Sequence, residues 1–278
     1  MNILITGEHG YIASHLKRAL LADGHNCTAI SLREGLTVIK DISQYDTVIH
    51  CAGMVHSKEK DPERYYRINT DLTAKLAERA KNSGVRHFIF MSSMAVYGVS
   101  DSLRGLAVIG RQTPENPMTP YGKSKLLAEN KLRDIANDHF TVYILRLPMV
   151  YGEGAPGNYT RLRHLVRITP VFPKVLNKRS MLSIDNLQNI VLTLLKNAEQ
   201  EEIESIEYTH ILCPQDPELV CTSDLAASIA AEQGKTLVLS PFLGRLVLLF
   251  PIGPVRKMFG SLIYSEESII QKEKRCEV

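Results

Sequence analysis

The sequence predicts an α/β protein with a doubly wound parallel sheet and a smaller α/β lobe. Over the first half of the chain, short apolar runs alternate with longer segments whose apolar residues recur at helical spacing. Such a strand–helix–strand alternation predicts parallel strands with helices on both faces of the sheet. The runs 3–6, 47–50 and 88–91 lack polar alternation, as expected of strands that are buried on both faces.

Each element of the first half rests on a local pattern. Residues 11–23 place Ile12, Leu16 and Leu20 on one helical face. Gly84 stands at a position that a helix stop prefers, so we expect it to end a long helix over 62–83. The predicted strands are 2–6, 27–32, 46–51, 86–92 and 141–147, and the predicted helices are 11–23, 62–83 and 121–135.

The character of the sequence changes after Pro148. Residues 151–183 are rich in glycine and proline, so they are predicted to be mainly loop. A helix is predicted over 185–196, a strand over 208–213, and helices with proline and glycine breaks from Thr222 onward. We therefore divide the chain into a sheet domain, 1–150 plus about 184–213, and a smaller lobe, 151–183 plus about 214–278.

The composition argues against several classes of protein. The 278 residues carry a formal net charge of +3, include no Trp and are 6% aromatic. Their basic residues are dispersed, so we expect no nucleic-acid partner. No Cys-x-x-Cys pair occurs, which favours free thiols over a metal site or a disulfide framework. The cysteines are Cys27, Cys51, Cys213, Cys221 and Cys276.

Two segments bear on location. The N-terminal residues enter a strand pattern at once, without a basic region followed by an apolar stretch, so no signal peptide is expected. The apolar stretch 243–254 is interrupted by Arg245 and Pro251 and is shorter than the ~20 residues of a membrane span. We interpret it as a packed helix with a proline break, and a membrane-surface or partner-binding helix is the alternative. A cytoplasmic location is the default expectation.

A glycine turn joins the first strand to the first helix. Gly7 and Gly10 permit a tight turn, and Ala13 lets the helix pack closely on the strand. Free N–H groups at the helix start then face an anion such as a pyrophosphate. The Gly-x-x-Gly-x-x-Ala spacing differs from the commonest fingerprint, so an ordinary tight turn is the alternative. In its strand–helix context, the turn predicts a Rossmann-type dinucleotide site.

The end of the second strand bears on which dinucleotide is bound. An acid often holds the adenosine ribose hydroxyls there, but this chain reads Ile-Ser-Leu-Arg over 30–33. Ser31 and Arg33 in that position favour the 2′-phosphate of NADP. Glu34, or a solvated Arg33, leaves NAD open. Asp41 and Ile42 follow at a distance suited to the adenine edge.

A tyrosine and a lysine share one face of the helix that follows Pro120. Tyr121 and Lys125 are four residues apart. A tyrosine hydroxyl has a pKa near ~10, too high for a base at neutral pH, and a nearby ammonium is expected to lower it. Ser93 closes the preceding strand, where we expect it to hydrogen-bond the same reacting oxygen. A Tyr-x-x-x-Lys surface pair is common, but with the glycine turn this set predicts a catalytic base.

These motifs and several others resemble, in order, those of the extended short-chain dehydrogenases/reductases of the nucleotide-sugar epimerase/dehydratase type, which include the UDP-hexose 4-epimerases. The resemblance covers about residues 1 to 215 and leaves the tail without a placed motif. The matching features are Gly7-x-x-Gly10-x-x-Ala13, Cys51-Ala52-Gly53, Asn69, Ser92-Ser93, Tyr97-Gly98, Tyr121-x-x-x-Lys125, Arg146 to Gly152, and Arg179 to Leu187.

The resemblance implies roles for individual residues. Ser93, Tyr121 and Lys125 resemble the family's catalytic residues, and Asn69 resembles the asparagine that supports the active-site helix. Together with the second-strand residues, the expected contacts to NAD or NADP are Gly7, Gly10, Tyr11, Ile12, Ser31, Arg33, Asp41, Ile42, Cys51, Ala52, Gly53, Asn69, Ser92, Tyr121, Lys125, Pro148 and Val150. The expected substrate contacts are Ser93, Met94, Tyr121, Met149, Asn158 and Arg179.

The expected substrate is a nucleotide-diphosphate sugar. Asn158 and Arg179 resemble residues that hold its nucleotide and diphosphate, and the planar fork of an arginine suits that anion. A turn residue and a surface salt bridge are the respective alternatives.

Two departures from the family pattern limit the reactions that the sequence predicts. Dehydratases of the family carry residues similar to Thr-Asp-Glu at the positions where this chain has Ser93-Met94-Ala95. Without that acid–base pair a 4,6-dehydratase is disfavoured. Many 4-epimerases carry an asparagine where this chain has Met149, which also fits relatives that reduce a 4-keto sugar.

The leading hypothesis is a nucleotide-sugar 4-epimerase acting on a UDP-hexose or a UDP-N-acetylhexosamine. An NADPH-dependent 4-keto-sugar reductase is the close alternative. A non-catalytic cofactor-sensing protein is the third, because a fold alone does not fix a function. The resemblance also implies a homodimer, in which helix 62–83 and the helix bearing Tyr121 form a four-helix interface.

Overall fold

The computed structural model describes residues 1–55, 61–199 and 208–265. Its strands are β1 (Asn2–Thr6), β2 (Asn26–Ile30), β3 (Thr47–His50), β4 (His87–Ser93), β5 (Ala107–Ile109), β6 (Thr141–Leu147), β7 (Met149–Tyr151), β8 (Val171–Pro173), β9 (Met181–Ser183), β10 (Thr209–Leu212), β11 (Val238–Ser240) and β12 (Leu262–Tyr264). Its helices are α1 (Tyr11–Ala22), α2 (Pro62–Tyr65), α3 (Leu72–Asn82), α4 (Pro120–Ile135), α5 (Asn158–Ile168), α6 (Ile184–Glu199), α7 (Thr222–Glu232), α8 (Pro241–Leu248) and α9 (Gly253–Phe259).

Six of these strands form a parallel central sheet in the order β10-β6-β4-β3-β1-β2. The strand order reverses beside β1, and in open α/β sheets such a switch point is where ligands bind. Ile3 and Ile5 face the apolar cluster that includes α1 and α6, whereas Leu4 faces the cluster that includes α3 and α4. The predicted α/β class with a doubly wound parallel sheet is therefore confirmed.

The elements of the first half lie close to their predicted positions. The strand predictions 2–6 and 141–147 have the observed bounds, and the other three are displaced by at most two residues. The predicted helix 62–83 is a helical run, α2 and α3 joined by a π-helical turn at Tyr66–Asp71. Gly84 follows with a φ of +84°, a conformation that lets glycine end a helix.

The prediction that 151–183 is mainly loop is wrong over the centre of that segment. α5 occupies Asn158–Ile168 and buries Tyr159, Leu162 and Val166 on one face. The glycines and prolines that indicated a loop lie before and after α5, so they bound the helix rather than prevent it.

A separate apolar cluster lies away from the central sheet. It combines residues of α5, β8, α7 and α9, among them Tyr159, Phe172, Ile229 and Phe259. The division into two domains stays a prediction with which this cluster is compatible. Parts of that division, 200–207 and 266–278, lie outside the described residues, as does Cys276. The other four cysteines are free thiols.

The prediction over 243–254 is a packed helix with a proline break; the chain does break around Pro251, but the packing needs correction. α8 ends at Leu248 and α9 begins at Gly253, and only the inner side of α8 is packed. A Cβ at Gly244 would lie 2.0 Å from the Lys174 carbonyl oxygen, so glycine allows α8 to approach that backbone. The outer side of α8 is exposed, because the lobe covers it from one direction alone. Across the three described ranges, no helix is long and apolar enough to cross a bilayer.

His50 forms a buried polar link between the sheet and α3. Its Nδ1 lies 2.7 Å from the Thr6 hydroxyl and its Nε2 lies 2.9 Å from the Thr73 hydroxyl. Burial, with a smaller contribution from the Lys125 ammonium, lowers the pKa of His50 to about 3. The folded protein therefore holds this imidazole neutral.

We expect the free energy of unfolding to fall as the pH drops below about 6.5, the ordinary histidine pKa. Below that pH the unfolded chain binds a proton on His50 that the folded chain does not. The contribution of neutral His50 to the free energy of unfolding is thus complete above pH ~6.5 and is lost towards pH ~3. The free energy falls by about 1.4 kcal/mol per pH unit between these values. The free energy of unfolding, measured by urea unfolding at pH 7 and pH 5, should fall less between these pH values in His50→Gln than in wild type. His139→Gln, at a side chain that is 88% exposed, is the control. An equal fall in wild type and His50→Gln would contradict this prediction.

Candidate active site

Tyr121 stands in the first turn of α4, at the carboxyl edge of the sheet. The Thr119 hydroxyl caps the helix by accepting the Gly122 N–H at 3.1 Å. A Cβ at Gly122 would lie 2.6 Å from the Ala95 carbonyl oxygen, so glycine lets α4 approach the turn that follows Ser93. The Ser93 side chain lies beside Tyr121 and favours the deprotonated form of its hydroxyl. The structure therefore brings together the two residues expected to act on one oxygen.

The electrostatics of Tyr121 differ from the prediction. Burial raises its pKa above the ordinary value of 10, and the Ser93 side chain opposes that shift. The prediction that Lys125 lowers this pKa is wrong for the protein alone. The Lys125 Nζ donates to the Met91 carbonyl at 2.8 Å and lies 4.5 Å above the Phe90 ring, so its charge is directed into the sheet. Burial also lowers the pKa of Lys125 to about 8.

Asn69 ties the loop after β3 to α4. Its Oδ1 accepts the Met54 N–H at 2.7 Å, and its Nδ2 donates to the Met54 carbonyl and to the Ser124 hydroxyl, each at 3.0 Å. It belongs to the π-helical turn, a feature that is frequent at functional sites. Because Ser124 precedes Lys125, Asn69 holds the part of α4 that carries the lysine.

The residues after β3 lie between the glycine turn and the catalytic set. A Cβ at Gly53 would lie 3.2 Å from the Asn69 Oδ1 and 3.4 Å from the Lys125 Nζ. The Ala52 N–H donates to the Thr6 hydroxyl at 3.4 Å. Burial raises the pKa of the Cys51 thiol to about 12, which keeps it protonated and unreactive at neutral pH.

The glycine turn fits the pyrophosphate of a nicotinamide dinucleotide. Gly7 has a φ of +87°, and a Cβ there would lie 2.9 Å from the Ala52 nitrogen. α1 begins after Gly10 with no side-chain cap and no acid in its first turn among the described residues, so its first N–H groups are left for an anion. The buried Tyr11 hydroxyl, on the first residue of α1, has no hydrogen-bond partner within the described ranges.

The residues expected near the adenosine lie at the end of β2 and beyond it. The N–H groups of Gly7 and Glu8 donate to the Ile30 carbonyl at 2.9 and 3.1 Å, which places Ser31 beside the glycine turn. Arg33 is exposed there. The Asp41 carboxylate accepts the N–H and hydroxyl of Ser43. The Ile42 side chain packs in the core.

A pocket of about 330 Å³ is lined by residues of α5, β7, β9, α7 and α9. Met149, Asn158 and Arg179, three of the substrate contacts that the sequence predicts, line it. The Arg179 guanidinium is held 2.9 Å from the Asp101 carboxylate and 2.9 Å from the Gly260 carbonyl. The salt bridge named as the alternative for Arg179 is thus present in the pocket wall.

Two further basic residues line this pocket, Arg161 on α5 and Lys257 on α9. Sequence reasoning missed both of them. Arg161 lay in a segment predicted to be loop, and Lys257 lay in a tail without a motif. The helical spacing of Asn158 and Arg161, three residues apart, is the signal that would have placed them on one face.

Met149 connects the pocket to the catalytic set. Ser93 at the end of β4 pairs with Leu147 at the end of β6. Met149 follows two residues later as the first residue of β7. Two residues of extended chain span about 7 Å. The inner wall of the pocket therefore lies at the same sheet edge as Ser93.

A buried ion-pair network lies behind the catalytic helix. Glu129, one turn beyond Lys125 on α4, is fully buried and pairs with Arg146 of β6 at 2.6 Å. The Ser92 hydroxyl donates to the same carboxylate, so the Ser92 side chain belongs to this network. Arg146 also donates to the Tyr97 hydroxyl at 2.8 Å. The network fixes α4, which carries Tyr121 and Lys125, to β4, which carries Ser93, and to β6.

The parallel sheet, the glycine turn after β1 and the Ser93–Tyr121–Lys125 set together define an enzyme of the short-chain dehydrogenase/reductase class with a Rossmann-type fold. The model of the NAD dependent epimerase/dehydratase family matches residues 3–206. The chain belongs to that family.

Curated relatives are epimerases of nucleotide sugars by name. UDP-glucose 4-epimerase of Vibrio cholerae is 33% identical over 221 residues, which cover 70% of this chain and 66% of that protein. UDP-glucose 4-epimerase of Bacillus subtilis (strain 168) is 30% identical over 190 residues, which cover 56% of this chain and 55% of that protein. The chain thus spans between about half and two thirds of the length of these two relatives.

Solved structures share the fold at lower identity. UDP-glucuronic acid 4-epimerase from Bacillus cereus, in complex with NAD, superposes with a TM-score of 0.70 at 19% identity and covers 100% of this chain and 94% of that one. A dTDP-4-dehydrorhamnose reductase from Bacillus anthracis str. Ames, in complex with NADP, has a TM-score of 0.68 at 16% identity and covers 95% and 90%.

Proposed function

We propose that this protein is a nucleotide-sugar 4-epimerase that acts on a UDP-hexose or a UDP-N-acetylhexosamine with bound NAD or NADP. The observation that carries the proposal is the juxtaposition of Tyr121 and Ser93 at the sheet edge, where α4 follows the turn after β4. A pocket with basic walls opens beside that edge. The names of the Vibrio cholerae and Bacillus subtilis relatives support the same reaction.

The side chains divide the chemistry at C4 of the sugar between them. The bound nicotinamide supplies the acceptor and donor of hydride. Tyr121 takes the proton of the 4-hydroxyl and later returns it to the 4-keto oxygen, while Ser93 hydrogen-bonds that oxygen. Lys125 would hold the cofactor ribose beside them, and Asn69 holds the helix segment of Lys125.

The pocket supports a diphosphate as the anchor of the substrate. Arg161 and Lys257 reach it from α5 and α9, and Arg179, two residues before β9, lines it while paired with Asp101. No acid is among the lining residues in the described chain. Three cations beside one carboxylate leave a net positive wall that suits an anion with two phosphates, and guanidinium groups bind phosphate oxygens in pairs. The pocket then leaves the sugar near Met149, on the side of Ser93.

The test is to incubate the purified protein with UDP-glucose or UDP-N-acetylglucosamine and no added cofactor. Formation of the C4 epimer is expected, because the same bound dinucleotide takes up and returns the hydride. Mass spectrometry of the dinucleotide that co-purifies should distinguish NAD from NADP. Turnover restricted to a 4-keto sugar, with NADPH consumed, would overturn the epimerase proposal.

A UDP-4-keto-sugar reductase using NADPH is the second candidate. Met149 lines the pocket where many 4-epimerases carry an asparagine. Arg33 is exposed after β2, where an acid would select NAD. In this reaction Tyr121 donates a proton and no hydride returns, so NADPH is consumed with each turnover.

Removal of the positive charge of Arg161 or of Lys257 is expected to weaken substrate binding without changing the rate of the chemical step. Arg161→Gln and Lys257→Gln should each raise KM for the nucleotide sugar about tenfold, because a hydrogen bond to a charged group contributes about 1.5–3 kcal/mol. The rate constant kcat should stay near wild type. Arg167→Gln, at an exposed arginine on the last turn of α5, is the matched control. A fall in kcat with unchanged KM would contradict the assignment.

We also propose a homodimer through α4 and the helical run from Pro62 to Asn82. Leu127 on α4 is 45% exposed, which an interface on this face would explain. Light scattering should give twice the chain mass for wild type and the chain mass for Leu127→Asp. A monomeric wild type at working concentration would contradict the proposal.

A further inference from the structure

An exposed apolar surface lies at the tip of the smaller lobe, on α8 and the segment that leads to α9. We define this apolar tip by Phe242, Leu246, Leu249, Phe250 and Ile252, which are 73%, 42%, 70%, 57% and 58% exposed. Phe242, Leu246 and Leu249 are four and three residues apart, so they share one side of the helix. These five large side chains form an apolar cluster that faces solvent.

The packing of the lobe does not account for this surface. The opposite side of α8 already packs inward, with Gly244 buried and Val247 against the apolar cluster of the lobe. A helix that is apolar on all sides is normally buried. In α8 the inner side is buried and the apolar outer side is exposed, which is typical of a helix that contacts a membrane or another molecule.

The charges around the apolar tip indicate what it contacts. From Gln233 to Ser265 the sequence contains no Asp or Glu, and its basic residues are Lys235, Arg245, Arg256 and Lys257. Arg245 lies between Phe242 and Leu249 on the same side of α8, and Lys174 is exposed beside Gly244. Arginine and lysine can extend their cations to phosphate groups while their aliphatic stems stay among apolar neighbours.

We propose that the apolar tip docks on the surface of an anionic lipid bilayer. The five apolar side chains enter the boundary between headgroups and acyl chains, and the surrounding cations contact lipid phosphates. The inference does not depend on which sugar the enzyme uses. It has a geometric consequence, because Gly253, Pro254 and Lys257 of α9 line the substrate pocket. Docking therefore places the mouth of that pocket next to the bilayer.

Vesicle sedimentation tests the proposal with the whole 278-residue chain. We expect it to bind vesicles of mixed phosphatidylcholine and phosphatidylglycerol, to release at high salt, and to bind pure phosphatidylcholine only weakly. The double variant Phe242→Ser, Leu249→Ser should lower the partition coefficient by about tenfold or more, because it removes two large apolar groups. Leu21→Ser, at a 49% exposed leucine of α1, is the matched control and should bind like wild type.

Three results would overturn the proposal. The first is a wild-type protein that stays in the supernatant with anionic vesicles. The second is equal binding of wild type to neutral and anionic vesicles, which would remove the role of the cations. The third is a light-scattering mass that falls when Phe242 and Leu249 are replaced, which would assign the surface to a contact between copies of the chain. An unchanged melting temperature of the double variant shows that it is folded.

Discussion

Replacing Tyr121 with Phe is expected to lower kcat/KM by about 10²–10⁴-fold, the usual contribution of general acid–base catalysis. The change removes one oxygen from a side chain that is 8% exposed and lies beside Ser93. The cofactor site and the pocket keep their residues, so the substrate should still bind. The measurement is steady-state turnover of the nucleotide sugar, with the affinity for the dinucleotide determined separately.

Tyr143→Phe is the matched control for this prediction. Tyr143 is 2% exposed, and its hydroxyl has no hydrogen-bond partner in the described chain. It lies on β6, towards the opposite end of the strand from the catalytic edge. Its loss should leave kcat/KM near wild type. If Tyr121→Phe stayed active, or preserved a cellular role without turnover, the non-catalytic, cofactor-sensing hypothesis would gain support.

Replacing Glu129 with Ala is expected to cost about 3–5 kcal/mol of unfolding free energy, because it leaves the Arg146 guanidinium buried without its main partner. Glu129 is 0% exposed and Arg146 is 3% exposed. The Glu115 carboxylate remains near Arg146, but it is partly exposed. Urea unfolding of the wild type and the variant measures the difference.

The double variant Glu129→Leu, Arg146→Met keeps the prediction testable if Glu129→Ala does not fold. Removing both charges should cost less than removing one, because no buried ion is then left unpaired. Glu232→Ala is the control, since its pair with Arg163 at 3.0 Å is exposed and should contribute at most about 1 kcal/mol. A double variant less stable than Glu129→Ala would contradict the argument.

The sequence could predict those parts of the fold that depend on neighbouring residues. Residues 141–147 are a strand because an uninterrupted apolar run is buried on both faces. The helix that begins at Pro120 follows from its start signals and the spacing of its apolar residues. The centre of 151–183 could not be predicted in this way, because its glycines and prolines only bound α5.

The candidate site likewise contains residues that local sequence patterns predict and residues that they do not. The positions of Gly7, Gly10, Tyr121 and Lys125 follow from spacing, since a turn and one helical face are local features. Glu129 was missed, because a carboxylate one turn after a lysine reads as a surface residue unless its buried partner on β6 is known. The sequence leaves a membrane-surface helix over 243–254 as an alternative, because the exposure of a side chain cannot be read from an apolar run.

The sequence by itself determined the alternation of strands and helices, the glycine turn after β1 and the shared helical face of Tyr121 and Lys125, because each depends on residues close in the chain. The tertiary structure alone decided three other properties. It brought Arg161, Arg179 and Lys257 to one pocket, it raised rather than lowered the pKa of Tyr121, and it left the apolar tip of the lobe uncovered. The physical reason is that charge convergence, desolvation and exposure depend on which distant segments meet in space.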